Sequence, residues 1–395
     1  MPAWLQPNAA PFLDQKAAAL PDDSRTPIPS RRTALVLAGG IALGAYEAGA
    51  YAALQDDGGP LPDWVLGSSI GAVTAAIIAG NAPEHRTDRL RQFWQTAATD
   101  PTPAASFWFG VPDTGVWRQA HNQASVLETL FFGRPGVFRP RLSPGPRAGA
   151  GDVSALYDLA PLRAQLTELI DFDRVNRGDV RLSLCTTDVV SGERVVFDTG
   201  RGVRVGPEHV VASCALLPLF APVEIEGRLL GDGGLASNAP LDLVLDDPAC
   251  DGAQCFVIDL FAPEGSRLHT LGASLSRAGD LAFGNQSRRL REGLEREQRL
   301  RAAIARLGGT LPPELRKRPD IAALLAEGRL RQTEMHYLSY RAGLDEAGPA
   351  KVFDFSRATL ADRWRAGEDA MRAVLHLGSA GQEQGAGSVH GYSGL

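Results

Sequence analysis

Two serines stand between glycines in Val65-Leu66-Gly67-Ser68-Ser69-Ile70-Gly71, directly after an apolar run. The pattern Gly67-x-Ser69-x-Gly71 puts Ser69 at the centre of a turn so sharp that side chains on its flanks would collide. Between a strand and a helix, such a turn lifts the hydroxyl out of the sheet. It then lies beside helix amides that can stabilise an oxyanion. Ser68 is the spacer and points away. Small-residue turns also produce this spelling by chance, so the motif alone leaves Ser69 either a nucleophile or a structural residue.

A second glycine turn lies upstream, in Ala38-Gly39-Gly40-Ile41-Ala42-Leu43-Gly44. Amides there can cradle a phosphate or a reaction oxyanion, or the turn is purely structural. The G-x-G-x-x-G spacing of dinucleotide sites is not matched. Downstream, "GDGGLASNAP" places Asp232 before Gly233 and Gly234 at the end of a strand. A carboxylate held in a glycine turn can take a serine proton during attack, although D-G-G is also a common turn.

These three stretches need strands to end at them and helices to start after them. "TALVLAGG" and "DWVLGSS" read as buried strands, followed by the small-residue helices "ALGAYEAGAYAALQDDG" and "GAVTAAIIAG". Strand–glycine–helix units in succession predict an α/β fold with a largely parallel sheet. Gly44, Ala48 and Ala52 share one helix face that can press close to a neighbour. "RLSLCTTDVV" and "ERVVFDT" predict a hairpin in which Asp188, Glu193 and Asp198 are polar edge residues. "PVEIEGRLLGDGG" reads as a strand entering a turn, and "CFVIDLFAP" as another buried strand. Residues 288–307 and "FDFSRATLADRWRAGEDAMRAVL" read as helices, the second with cap-like spacing at Thr359 and Asp362.

The chain has 395 residues, a net charge of −6 and 44% hydrophobic residues. That balance, without a sustained basic run, argues against a nucleic-acid partner. Cys185, Cys214, Cys250 and Cys255 lack metal-ligand spacing and fit free thiols in a reducing compartment, with a Cys250–Cys255 loop disulfide as the alternative. The start of the chain does not read as a secretory signal and no stretch approaches a membrane span, so a cytoplasmic location is expected, with peripheral contact to membranes or lipid particles. Residues 1–32 read as a loose arm and 377–395 as a disordered tail. The expected organisation is an α/β domain over 33–265 and a helical C-terminal region over 266–376 that packs on it. Phe107, Trp108, Phe109, Phe131 and Phe132 fall in one irregular segment that reads as core packing, an acyl pocket, a lid or a patch that dips into a membrane or lipid particle. The Arg-rich helix reads as a solvated face with internal Glu–Arg pairs.

Taken in order, the glycine loop, G-x-S-x-G and D-G-G resemble the patatin-like phospholipase family, over roughly residues 33–262. "TTDVVSGERVVF", "ASCALLPLFAPV", Asn238 and Pro240 add to the likeness, and "HYLSYRAG" with the last helix resembles the extra region of a bacterial patatin-like branch. The resemblance implies a three-layer α/β sandwich with a largely parallel central sheet and a helical C-terminal addition. It implies a serine acyl hydrolase acting on lipid esters, with Ser69 as nucleophile and Asp232 as base of a Ser–Asp dyad. The amides of Gly39, Gly40 and Ile41 would form the oxyanion hole, with Gly44, Gly67, Gly71, Gly233 and Gly234 supporting the turns. No metal or cofactor is implied; a lipid substrate is, and the sequence leaves a homo-oligomer open.

Two departures stand out. Ile41 occupies the place of a third glycine, and at positive φ a β-branched residue is strained by roughly 1–3 kcal/mol. Leu43 replaces a frequent Arg or Lys before the last glycine. Two other readings remain. One is a lipid- or granule-associated scaffold with a weakened site. The other is an esterase with a Ser-Asp-His triad that uses His269, His336, His376 or His390.

Overall fold

The computed structural model describes residues 32–101, 110–111, 114–141, 155–261, 271–328, 333–341, 348–381 and 390–392. Phe107, Trp108 and Phe109, and the expected arm apart from Arg32, lie outside them.

Apolar runs that are buried on both faces become the central strands. These are β1 (Thr33–Leu37), β2 (Trp64–Ser68), β3 (Arg181–Asp188) and β7 (Gln254–Asp259). Continuous rather than alternating burial is the mark of strands covered by helices on both sides. β4 (Arg194–Asp198), β5 (Val223–Ile225), β6 (Arg228–Asp232), β8 (Glu334–Ser339) and β9 (His390–Tyr392) complete a nine-stranded sheet. Its order is β9-β8-β7-β1-β2-β3-β6-β5, with β4 also on β3. Pairing is parallel from β9 through β3 and antiparallel among β3, β4, β5 and β6.

β1 lies between β7 and β2, so the chain leaves it toward both edges of the sheet. Open α/β sheets place their ligand crevice at such a point, beyond the carboxyl ends of the strands. The ends of β1 and β2 are where the glycine loop and Ser69 stand. From them run α1 (Ala45–Asp56) and α2 (Ile70–Ala79), followed by α3 (Pro83–Ala97) and α4 (Gly115–Phe132). α2, with every residue buried, packs on β1, β2 and β3.

The C-terminal region differs from its expectation in one respect. It carries the long helices α6 (Leu271–Thr310) and α7 (Arg357–Gly381), but it also supplies β8 and β9 to the main sheet. The stretch expected to be a disordered tail from 377 continues α7 to Gly381 and returns as β9. "PVEIEGRLLGDGG" is a hairpin rather than one strand, because Glu226 and Gly227 take positive φ and reverse the chain. α7 begins before Thr359, and its cap is Ser356, whose hydroxyl accepts from the Thr359 amide at 3.4 Å. The four cysteines are buried and free, so Cys250 and Cys255 form no disulfide. Among the described residues no helix is long and apolar enough to cross a membrane.

α7 docks on α1 through two glycines. A Cβ on Gly49 would strike the carbonyl of Trp364, and one on Gly367 would strike the carbonyl of Tyr46. This contact fastens the last helix to the helix that follows the glycine loop. Replacement of Gly49 by Leu is expected to destabilise the protein by about 3 kcal/mol in denaturant unfolding, at the upper end of overpacking costs. An unchanged midpoint would mean that the helices are not in contact.

Candidate active site

Ser69 stands between β2 and α2 as the cap of the helix, with φ 55 and ψ −124. Such a conformation costs a non-glycine residue about 1–3 kcal/mol, so its surroundings must hold it. A Cβ on Gly71 would run into the Leu37 carbonyl, and one on Gly67 would run into the backbone of Gly71. The two motif glycines thus let α2 start directly against the end of β1. The Ser69 amide donates to Ser213 Oγ at 3.0 Å, and that hydroxyl donates to the Cys185 carbonyl at 2.6 Å. Ser68 is buried on the other side and donates to the Ser237 carbonyl at 2.7 Å, as expected of a spacer.

Asp232 closes β6 and is 3% exposed. Its amide donates to the Ala215 carbonyl at 3.0 Å and its carbonyl accepts from Thr187 Oγ1 at 2.8 Å. Its carboxylate accepts from the Gly234 amide at 2.7 Å and lines one cavity together with Ser69. Burial pushes this carboxyl up to about 6, and the neighbouring Ser69 hydroxyl and Gly234 amide hold back a larger rise. The turn after α5 (Pro207–Ser213) therefore grips both residues, Ser69 through Ser213 and Asp232 through Ala215.

The glycine loop faces the same hydroxyl. A Cβ on Gly39 would stand 3.0 Å from Cβ of Ser69. The Gly39 amide is already used, because it donates to the Asn238 carbonyl at 3.2 Å while Asn238 Nδ2 donates to the Gly39 carbonyl at 3.3 Å. That engagement sets Gly39 apart from the other two expected donors. The amides of Gly40 and Ile41 have no acceptor among the described residues. Ile41 has φ 50, so the expected strain is present. Only Ile41, Ser69 and Glu226 are non-glycine residues at positive φ among those described, and two of the three meet at this site.

Ser69, Asp232 and the loop line a cavity of about 130 Å³. A smaller apolar crevice of about 30 Å³ leads from Ser69 between Ile70, Val73, Phe93, Phe138 and Phe355. Phe131 and Phe132 are not brought to the site; on the last turn of α4 they are 70% and 77% exposed. Among the described residues no histidine lines either space, and no group of three or more His, Cys, Asp or Glu could hold a metal. His209 stacks edge-on against Phe197, and His336 lies against Phe256.

The C-terminal region reaches the site in ways the sequence did not signal. Gln286 of α6 accepts from the Asn238 amide at 3.0 Å and donates to the Gly234 carbonyl at 3.2 Å. Buried Arg363 of α7 donates to the Ala42 carbonyl at 3.1 Å, and to those of Lys351 and Asp354 at 2.8 and 3.1 Å. Gln286 thus braces the Asp232 turn and Arg363 the glycine loop. Ser213 was within reach of sequence reasoning, since it belongs to the quoted "ASCALLPLFAPV". Gln286 and Arg363 sit in charged helices that resemble any solvated face.

The patatin-like phospholipase model matches residues 35–245, and a second model, described as patatin phospholipase, matches 281–384. With more than half of its length matched by the first, the chain belongs to the patatin-like phospholipase family, whose family-level activity is lipid hydrolysis. The solved structure of VipD from Legionella pneumophila is similar at 14% identity and a TM-score of 0.37, over 88% of this chain and 67% of that one. No curated protein matches the chain.

Replacing Ser213 by Ala removes the acceptor for the Ser69 amide and the donor for Cys185. A loss of about 1–3 kcal/mol in denaturant unfolding is expected, with Ser213→Thr recovering much of it. Equal stability of the Ala variant would mean that this hydroxyl does not hold the turn.

Proposed function

We propose that the chain is a serine acyl hydrolase that cleaves carboxylic esters of lipids with a Ser69–Asp232 dyad. The observation that carries this reading is one cavity lined by Ser69, by the buried carboxylate of Asp232 and by Gly40 and Ile41, whose amides meet no acceptor among the described residues. The ionised Asp232 takes the hydroxyl proton as Ser69 Oγ bonds to the ester carbonyl carbon. The amides of Gly40 and Ile41 receive the oxyanion, at the point where charge develops. When the tetrahedral adduct collapses, the C–O bond to the alcohol breaks and Asp232 returns the proton to the leaving oxygen. A water then attacks the acyl-enzyme, Asp232 again holds the proton, and Ser69 departs with it to leave a carboxylic acid.

The apolar crevice beside Ser69 suits an acyl chain, and the larger cavity suits the alcohol portion. The cavity walls favour a dyad over a triad, because no described histidine reaches them. Among the described residues the Ile41 amide meets no acceptor, which supports a working oxyanion hole against a scaffold role.

Hydrolysis of p-nitrophenyl butyrate is expected to fall roughly a thousandfold in Ser69→Ala and in Asp232→Asn, with both variants folded. Turnover that survives either change would remove the dyad. The base must be ionised, so kcat/KM of the wild type is expected to rise with pH through about 6. The same shift makes folding favour the protonated carboxyl. Its contribution to stability is full below the ordinary value of 3.8 and is lost as pH rises through about 6. An acid limb centred near 4 would contradict a desolvated base.

A further inference from the structure

The cavity at Ser69 holds one charged pair that the proposed chemistry does not use. Lys351, in the 3₁₀ turn Gly348–Phe353, and Asp280, on α6, line it together with Gly40, Ile41 and Ser69. Lys351 Nζ lies 2.8 Å from Asp280 Oδ1, and Lys351 is 6% exposed. An ammonium has three donors, and among the described residues Asp280 is the only side chain or carbonyl that Nζ meets. Burying a lysine is costly unless its charge is paired, and an apolar replacement would often fold as well. Phe261, Phe283 and Val352 make up much of the wall around the pair, so its charge is felt strongly there. The turn is also fixed in place, since Arg363 joins the Lys351 carbonyl to the glycine loop at Ala42.

We infer that Lys351, held by Asp280, is a specificity-determining residue that selects esters carrying a phosphate on the alcohol side. The inference rests on the lipid-ester reading above. With the acyl chain in the apolar crevice, the alcohol portion occupies the space that Lys351 borders. Its two remaining N–H groups donate to a phosphate oxygen, while Asp280 orients the ammonium when no substrate is bound. Because Asp280 also offsets the charge of Lys351, the two residues act on a phosphate in opposite senses.

That opposition gives the test. One acyl chain is offered as a matched pair, the neutral monoacylglycerol and the phosphate-bearing lysophosphatidate, to wild type, Lys351→Met, Lys351→Arg and Asp280→Asn. The ratio of kcat/KM for the phosphate ester over the neutral ester is expected to fall at least about tenfold in Lys351→Met, carried mainly by KM. It is expected to be largely restored in Lys351→Arg and to rise in Asp280→Asn. A ratio that stays put in Lys351→Met, or that falls in both Lys351→Met and Asp280→Asn, overturns the proposal, because a purely structural pair loses function in one direction whichever partner is removed. If Lys351→Met does not fold, Asp280→Asn and Lys351→Arg still decide it: a fall of the ratio in Asp280→Asn or its collapse in Lys351→Arg counts against it.

Calorimetric binding of n-decyl phosphate and decanol to the Ser69→Ala protein, with and without Lys351→Met, reads the same preference without turnover. A wild type inactive on both esters would overturn the hydrolase reading, while a phosphate preference lost with Lys351 in the binding assay would uphold the subsite. Inorganic phosphate binding as tightly as n-decyl phosphate would overturn the assignment to a lipid ester.

Discussion

Everything at this site depends on holding Ser69 at a backbone conformation that serine avoids. The φ of 55 is maintained from three sides: close contact of Gly71 with the end of β1, the Ser213 hydroxyl on the Ser69 amide, and burial of the whole of α2. Each of these would be lost by a modest change. A side chain at position 71 would push α2 off β1 and relax the turn. The stored strain is small against the stability of a domain, but it aims one hydroxyl at one carboxylate.

The second constraint is electrostatic. Asp232 is removed from water almost entirely, yet its carboxylate is met by the Gly234 amide and the Ser69 hydroxyl. Desolvation alone would keep it protonated, and full satisfaction would leave it a poor base. The balance puts it at about 6, the range in which a carboxylate can both take and return a proton near neutrality. The Asn238 and Gln286 contacts matter here because they fix the turn from which the Gly234 amide points.

Much of this was legible from spacing. Gly67 and Gly71 around Ser69, and Gly233 after Asp232, mark places where backbone passes so close to backbone that only glycine fits, and such places leave local spellings. The parallel centre of the sheet followed from strand–glycine–helix order. The contribution of the C-terminal region was not legible. Gln286 and Arg363 act across 48 and 321 residues of sequence from the loops they touch, and the helices that carry them and Asp280 have the same Arg and Glu as a solvated face. The strand Glu334–Ser339 was missed because it is short and joins the sheet by long-range pairing that no local pattern encodes. The fate of the Gly39 amide was also beyond sequence, since its partner is a carbonyl contributed by Asn238. The likeness covered by the first family model ends near residue 245, whereas the walls of the cavity extend to Val352. The C-terminal region is therefore part of the site and not an appendage to it.

The central claim is that Ser69 is a nucleophile activated by Asp232. A fluorophosphonate reacts with an activated serine by forming a bond from Oγ to phosphorus with loss of fluoride, and the adduct survives proteolysis for mass spectrometry. The account predicts one adduct, on the peptide containing Ser69, formed quickly by the wild type and slowed by at least about a hundredfold in Asp232→Asn. An adduct elsewhere, or one forming on Ser69 at the same rate without the Asp232 carboxylate, would contradict it.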